Sequence, residues 1–270
     1  MRSELKNIIK GFVPPGLHWL LRRNVFRGDF ANWSDAVAAS EGYDAGLILE
    51  KVRAALLKVK NGEAVYERDS ALFDEVKYAW PLLTALLWIA SQNGNRLNLI
   101  DYGGSLGSSY FQNRGFLSHM NELHWNIIEQ PSFVECGMRD FEDDNLHFFH
   151  TIDECQARYC CDAILLSSVL PYLEQPHAAL ETVLQQGFEY IIIDRTPIFL
   201  MGDRDRLTVQ QVPDSIYRAS YPAWFFGRTK LLQHFEKKYE KIAEFDALAG
   251  PIRVGQTVAF DKGFVFKKIY

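Results

Sequence analysis

Leu97-Asn98-Leu99-Ile100-Asp101-Tyr102-Gly103-Gly104-Ser105-Leu106-Gly107 joins an apolar run to an acid and then to a glycine-rich turn. A buried parallel strand that hands over to a ligand loop has this form, because glycine lets the backbone enter φ > 0 and approach a bound molecule closely. A helix that follows such a turn points its N-terminus at that molecule. The stretch therefore predicts a β-strand, a cofactor-type loop and a helix in succession.

Outward from it, short apolar runs recur at Trp125–Glu129, Leu146–Phe149, Ala163–Ser167 and Tyr190–Asp194, separated by helical or turn segments. Runs of this kind suit strands covered on both faces. Their alternation with helices predicts an α/β fold with a mostly parallel sheet. The C-terminal end departs from this pattern. Lys241–Phe245, Thr257–Phe260 and Phe264–Ile269, set around Asp261-Lys262-Gly263, predict antiparallel strands at one edge. Residues 1–93 read as helical. Asp44 precedes Ala45–Lys60, with Leu47, Val52, Leu56 and Val59 at helical spacing and a stop at Asn61-Gly62. Asp69 reads as the cap of a helix through Trp80, which Pro81 either kinks or follows with a second helix through Ala90. The organisation read from the pattern is a helical N-terminal extension over 1–93 and a ligand-binding α/β domain over 94–270.

The 270 residues are 48% hydrophobic and 23% charged, a globular composition with an ample core. A net charge of -5 argues against a general nucleic-acid binder. Cys136, Cys155, Cys160 and Cys161 form no C-x-x-C pair and have no matching histidine cluster, so no metal site is read; they suit small apolar positions in a cytoplasmic protein. No signal peptide is read, and the apolar run Leu82–Ala90 is too short to span a bilayer. Residues 1–23 combine Arg2, Lys6, Lys10, Arg22 and Arg23 with apolar residues such as Ile8, Phe12, Trp19 and Leu20. Such a basic amphipathic arm fits a peripheral contact with an anionic membrane, or docking on its own domain or a partner subunit.

A dinucleotide fold would show G-x-G-x-x-G at the turn, which puts Tyr102 at the first glycine; a P-loop needs a Lys that does not follow Gly107. The stretch instead resembles motif I of class I S-adenosylmethionine (SAM)-dependent methyltransferases, an acid followed by glycines at alternate positions. Asp101, Gly103 and Gly107 match it, Ser105 stands where the middle glycine is usual, and Gly104 is an added glycine beside it. Glu129 ends the second strand, where an acid suits two ribose hydroxyls. Residues 162–180, with the apolar strand, Ser167-Ser168, Pro171-Tyr172 and an Ala/Leu helix after Pro176, resemble the family's fourth strand and following helix. Gln186-Gly187-Phe188 stands where the family has proline-glycine-glycine. The resemblance covers residues 96–270 and implies a Rossmann-like class I methyltransferase sheet. Over its whole length the chain is similar to a group of uncharacterised bacterial methyltransferases, several of them encoded among surface-glycan genes.

The resemblance implies SAM as cofactor and a set of contacts to it. Gly103, Gly104 and Ser105 would cradle the methionine part, Gly107 would be a further cofactor-binding residue, and Asp101 would act near the ammonium. Glu129 would hold the ribose. Thr151 and Ile152, with His150 and Asp153, would lie beside adenine, and Ser167 and Ser168 would border the methyl group. The N-terminal helices would roof the cofactor, with Tyr66 or Arg68 near the SAM carboxylate. The reaction implied is in-line methyl transfer to a small or glycan-type acceptor, with O-methylation preferred. Residues 194–228 lie beyond the carboxyl end of the fifth strand, where α/β folds bind ligands. Their arginines suit carboxylate or phosphate and their rings suit sugar faces. An anionic, sugar-containing acceptor is therefore expected, with Arg195, Tyr217, Tyr221, Trp224 and Arg228 as contacts. Alternatively, Arg204, Arg206, Arg218 and their neighbours pair with Asp203, Asp205 and Asp214 in a surface lid. Arg195, Tyr172 and His177 are the candidate catalytic residues; His177 follows Pro176 at a helix start, where the dipole disfavours a cation. Two other functions stay open: a non-catalytic SAM-fold scaffold, because of Ser105 and the missing proline-glycine-glycine, and a nucleotide-binding oxidoreductase.

Overall fold

The computed structural model of the chain describes residues 25–42, 45–68, 71–212 and 219–270. The basic arm over 1–23, the caps Asp44 and Asp69, and Asp214, Tyr217 and Arg218 lie outside the described residues. The first part of the chain forms β1 (Phe26–Phe30), α1 (Trp33–Ala38), α2 (Ala45–Lys60), β2 (Tyr66–Arg68), β3 (Ala71–Phe73) and α3 (Trp80–Gln92). The alternating part follows as β4 (Arg96–Tyr102), α4 (Ser108–Leu117), β5 (Glu122–Ile128), α5 (Pro131–Asp140), β6 (Leu146–Phe149), α6 (Ile152–Arg158), β7 (Ala163–Ser167), α7 (Pro176–Gln186) and β8 (Tyr190–Phe199). The remainder is strand-rich: β9 (Arg206–Gln211), β10 (Ser220–Gly227), α8 (Arg228–Gln233), β11 (Tyr239–Val254) and β12 (Thr257–Lys268).

β4 is the centre of the sheet. It pairs in parallel with β5 on one side and β7 on the other, so that Leu99 lies opposite both Trp125 and Ala163. β6 extends the β5 side and β8 the β7 side, again in parallel. β12 then runs antiparallel along β8, and β11 antiparallel along β12. The parallel order β6-β5-β4-β7-β8 with a reversed C-terminal strand beyond it is the Rossmann-like methyltransferase sheet expected from the sequence. The far end of β8 also pairs with β10, which carries β9 and β1 as an antiparallel extension.

Both faces of the parallel strands are covered, as their continuous apolar character requires. On one face Leu97 and Leu99 of β4 join Trp125, Leu56 of α2, Leu86 of α3, Tyr110 of α4 and Val134 of α5. On the other, Ile100 joins Ile164, Ile191, Cys155 of α6, Val183 of α7 and Leu231 of α8. Because side chains alternate along a strand, Asp101 points to the face of Leu99, under α4. Among the described residues no helix is long and apolar enough to cross a membrane.

Several expectations are corrected. The helical reading of 1–93 fails at Phe26–Phe30, which pairs with β9 as an outer strand, and at Tyr66–Arg68 and Ala71–Phe73, which pair antiparallel with each other. No helix runs up to Trp80; Pro81 sits in the first turn of α3, where its missing N–H has no helical partner to lose. β8 does not stop at Asp194 but continues to Phe199, so the described residues of 194–228 are mostly strand rather than one long loop. Asp261-Lys262-Gly263 is not a turn. β12 runs through it, with Phe245 of β11 packed over Gly263, and the reversal occurs after Val254 instead.

Candidate functional site

The site lies at the carboxyl ends of β4, β5, β7 and β8. After Tyr102 the chain turns through Gly103 (φ 73) and Ser105 (φ 56) to Gly107, the N-cap of α4. The Gly103 N–H donates to the Ile128 carbonyl at 2.9 Å, which ties the turn to the end of β5. A Cβ on Gly104 would lie 2.6 Å from the Asp101 carboxylate, so this added glycine is what lets the turn close over a buried acid. Ser105 holds the left-handed conformation that a glycine would adopt freely, at a cost of roughly 1–2 kcal/mol for an L-residue. Its N–H donates to Glu129 Oε1 at 3.2 Å, and the Gln130 N–H donates to Glu129 Oε2 at 2.8 Å. The glycine turn and the acid after β5 therefore meet at one point. Burial pushes the Glu129 carboxyl up, against those two hydrogen bonds. Gly104→Ala is expected to destabilise the fold by about 1–3 kcal/mol through overpacking against Asp101. A urea-denaturation midpoint equal to wild type would show that the turn is looser than this contact implies.

Three buried carboxylates stand behind the turn. Asp101 is 1% exposed and accepts from Trp125 Nε1 at 2.9 Å. Burial lifts it to about 7, with the Trp125 hydrogen bond opposing and Glu129 and Asp194 adding to the rise. Asp194, 2% exposed at the end of the fully parallel part of β8, accepts from Ser167 Oγ at 2.9 Å, and burial raises it too. Asp261 of β12 is 5% exposed and lifted to about 6, again by burial first. Arg195 lowers all three, and is thus their common counter-charge. A fourth acid, Glu67 of β2, reaches the first turn of α4, where Ser108 Oγ donates to its Oε2 at 2.5 Å.

A cavity of about 340 Å³ opens next to Arg195, walled by Ser168, Tyr172, Gln210, Trp224 and Asp261 together with apolar residues of β11. Trp224 is fixed by its Nε1–H on the Leu173 carbonyl at 3.1 Å, and Tyr172 by its hydroxyl on Gln210 Oε1 at 2.9 Å. Ser168 and Arg195 both hold positive φ (57 and 50), and the Ser168 N–H donates to the Asp194 carbonyl at 3.0 Å. Left-handed non-glycine residues cost energy and persist where the surroundings hold them, commonly at ligand sites. Three of the four among the described residues, Ser105, Ser168 and Arg195, follow β4, β7 and the parallel part of β8, while Asn95 precedes β4.

The structure brings together Asp101, Gly103, Gly104, Ser105 and Glu129 on one side, and Ser167, Ser168, Tyr172, Arg195 and Trp224 on the other. Other candidates lie outside the cavity. His177 does not line the cavity: its Nδ1 lies 2.9 Å from His234 Nε2 and its Nε2 2.8 Å from Asp205, which also binds Lys230. Arg228 is likewise outside the cavity, with its Nη2 2.6 Å from Glu244 Oε2. Tyr221 stands edge-on to Tyr172, with ring centroids 5.5 Å apart. Thr151 caps α6 through the Glu154 N–H, and Ile152 is packed in the core. Arg204 and Arg206 turn to Asp29, not to Asp203 or Asp205. Tyr66 accepts from Gln112 beside α4. Cys155 and Cys161 are buried, as their apolar reading implied, while Cys160 is exposed. Sequence reasoning missed Asp194 and Asp261. Asp194 had a signal, an acid closing a parallel strand as Asp101 does. Asp261 had none, because its local sequence reads as a turn.

No protein-family model and no curated protein matches the chain. Among solved structures it is similar to the N-terminal domain of EvdMO1 in the presence of SAH and D-fucose, at 15% identity over 84% of this chain and 98% of that one, TM-score 0.48. It is also similar to SAM-bound CalS10, an amino pentose methyltransferase from Micromonospora echinaspora, at 13% identity over 72% and 93% of the two chains, TM-score 0.45. A third likeness is to the glycopeptide N-methyltransferase MtfA complexed with SAM, at 10% identity over 68% and 92%, TM-score 0.42.

Proposed function

We propose that the chain is a SAM-dependent methyltransferase that transfers a methyl group to a hydroxyl of a small or glycan-type acceptor. The observation that carries this reading is the set of carboxylates around the glycine turn, Glu67 at the start of α4 among them. Nucleotide folds bind a phosphate at that helix start. Here the chain's own carboxylate stands there, Asp101, Asp194 and Asp261 share the guanidinium of Arg195, and Glu129 lies beside Asp101. Such a field repels a pyrophosphate and favours a ligand that brings positive charge, as a sulfonium with an α-ammonium group does.

The residues present fit SAM. Each Glu129 oxygen accepts one backbone N–H and keeps a lone pair for a ribose hydroxyl. The methionine part would lie over the Gly103-Gly104-Ser105 turn, with Ser167 and Ser168 at the neighbouring strand end. When bound, SAM supplies an electrophilic methyl on a leaving group that departs neutral, so no oxyanion has to be stabilised. What the chain must do is align the acceptor oxygen with that methyl and exclude water. Trp224 and Tyr172 offer a glycan-type acceptor flat faces.

Calorimetry with S-adenosylhomocysteine (SAH), SAM and NAD(H) tests the reading. SAH and SAM are expected to bind and NAD(H) to give no heat; heat from NAD(H) alone would overturn the proposal.

A further inference from the structure

We propose that the cavity beside Trp224 is the acceptor site and that Asp261 takes the proton of the hydroxyl that is methylated. The inference rests on the SAM reading above. Asp261 lies opposite Pro197 in the β8–β12 ladder, and Arg195 and Pro197 line the same cavity wall as Asp261. The facing strand, β11, is interrupted at this point. Asp246 pairs with Lys262 and Pro251 pairs with Phe260, so residues 247–250 bulge out opposite Asp261 alone. Bulges of this kind re-aim side chains next to active sites. This one sends Leu248 and Ala249 into the cavity wall and donates the Ala249 N–H to Asp261 Oδ2 at 2.9 Å. Among the described residues Oδ1 has no hydrogen-bond partner, leaving an acceptor oxygen for a ligand hydroxyl.

The environment suits a base. Burial holds the carboxyl up, near about 6, with Asp194 adding to the rise and Arg195 opposing it. Arg253 of β11 lines the same cavity, and β1, β9 and β10 contribute no charged side chain to its lining among the described residues. A base with a pKa close to working pH is deprotonated yet basic enough to accept a hydroxyl proton. The step balances. The acceptor oxygen forms a bond to the methyl carbon as the carbon–sulfur bond breaks; the sulfonium leaves as the neutral thioether SAH, and the hydroxyl proton passes to Asp261 and then to solvent. Tyr172, with its hydroxyl on Gln210, and His177, outside the cavity, are less well placed for this transfer.

The test uses methyl pyranosides of glucose, galactose and rhamnose as probes. On wild type loaded with SAH, saturation-transfer NMR is expected to show at least one of them bound, and Trp224→Ala is expected to lose the signal. With SAM, wild type is expected to convert a bound probe at a rate that rises with pH through about 6. Asp261→Asn is expected to keep its circular dichroism and, at saturating SAM, to lose the rise with pH and to turn over about 100-fold more slowly. Asp261→Glu should restore part of the rate. The inference is overturned if no pyranoside binds, if a bound one is not methylated, or if Asp261→Asn turns over within about threefold of wild type. Failure of SAH to bind wild type would instead overturn the SAM reading itself.

Discussion

Glu129→Ala is expected to weaken SAH binding by about 100-fold or more, with little change in fold. A hydrogen bond to a charged group contributes about 1.5–3 kcal/mol, and a carboxylate spanning two ribose hydroxyls makes two of them. The substitution also leaves the Ser105 N–H without its acceptor, so the turn loosens at the same time. Glu129→Gln separates the two effects. It keeps one carbonyl oxygen for Ser105 or a hydroxyl but has no charge, and an intermediate loss is expected. Calorimetry with SAH and with adenosine measures both variants. Adenosine carries the ribose without the methionine part, so equal losses for the two ligands would locate the effect on the ribose. Unchanged affinity would remove the ribose assignment.

Asp101→Asn is expected to make the fold more stable above neutral pH. The folded chain holds the Asp101 proton up to about 7, whereas the ordinary carboxyl value is 3.8. Below pH 3.8 both folded and unfolded chains are protonated and burial meets no charge. Between the two values the folded state binds more protons, so stability falls as pH rises. The full penalty, on the order of 4 kcal/mol, is present above pH 7. Asparagine is uncharged throughout and can still accept from Trp125. Urea denaturation of both proteins between about pH 4 and 8 should give a difference that grows with pH in favour of the variant, on top of any constant offset. A difference that does not vary with pH would show that Asp101 is ionised in the folded state. The same acid is the proposed neighbour of the SAM ammonium, so the stabilised variant is expected to bind SAH more weakly.

The central strand and its turn were readable because their determinants are local. Apolar residues, an acid and glycines follow one another within Leu97–Gly107, and the same holds for Ala163–Ser168. Ser105 was the doubtful residue in the sequence, yet it takes the left-handed φ expected of the glycine it replaces. The course of β8 beyond Asp194 was not readable, because Arg195-Thr196-Pro197 looks like a strand stop. The positive φ at Arg195 kinks the chain there and pairing with β12 resumes at Thr196. β1 was missed for a different reason: its partner strand lies far along the chain, and Phe26–Phe30 alternates too little to declare itself. Side-chain partners were the least readable feature. His177 looked like an uncharged base at a helix start, but it is held by Asp205, 28 residues away, and His234, 57 away. Arg228 looked like an anion clamp and is committed to Glu244. Asp261 looked like a turn residue because the irregularity that frames it sits on the opposite strand.

A crystal structure of the chain with SAH bound decides between cofactor binding at this turn and binding elsewhere. The ribose hydroxyls are expected on the Glu129 carboxylate, the methionine part over Gly103-Gly104-Ser105, and the sulfur directed past Ser168 toward the cavity of Trp224 and Asp261. SAH seated elsewhere, with Glu129 still bound only to the Ser105 and Gln130 amides, would contradict binding at this turn.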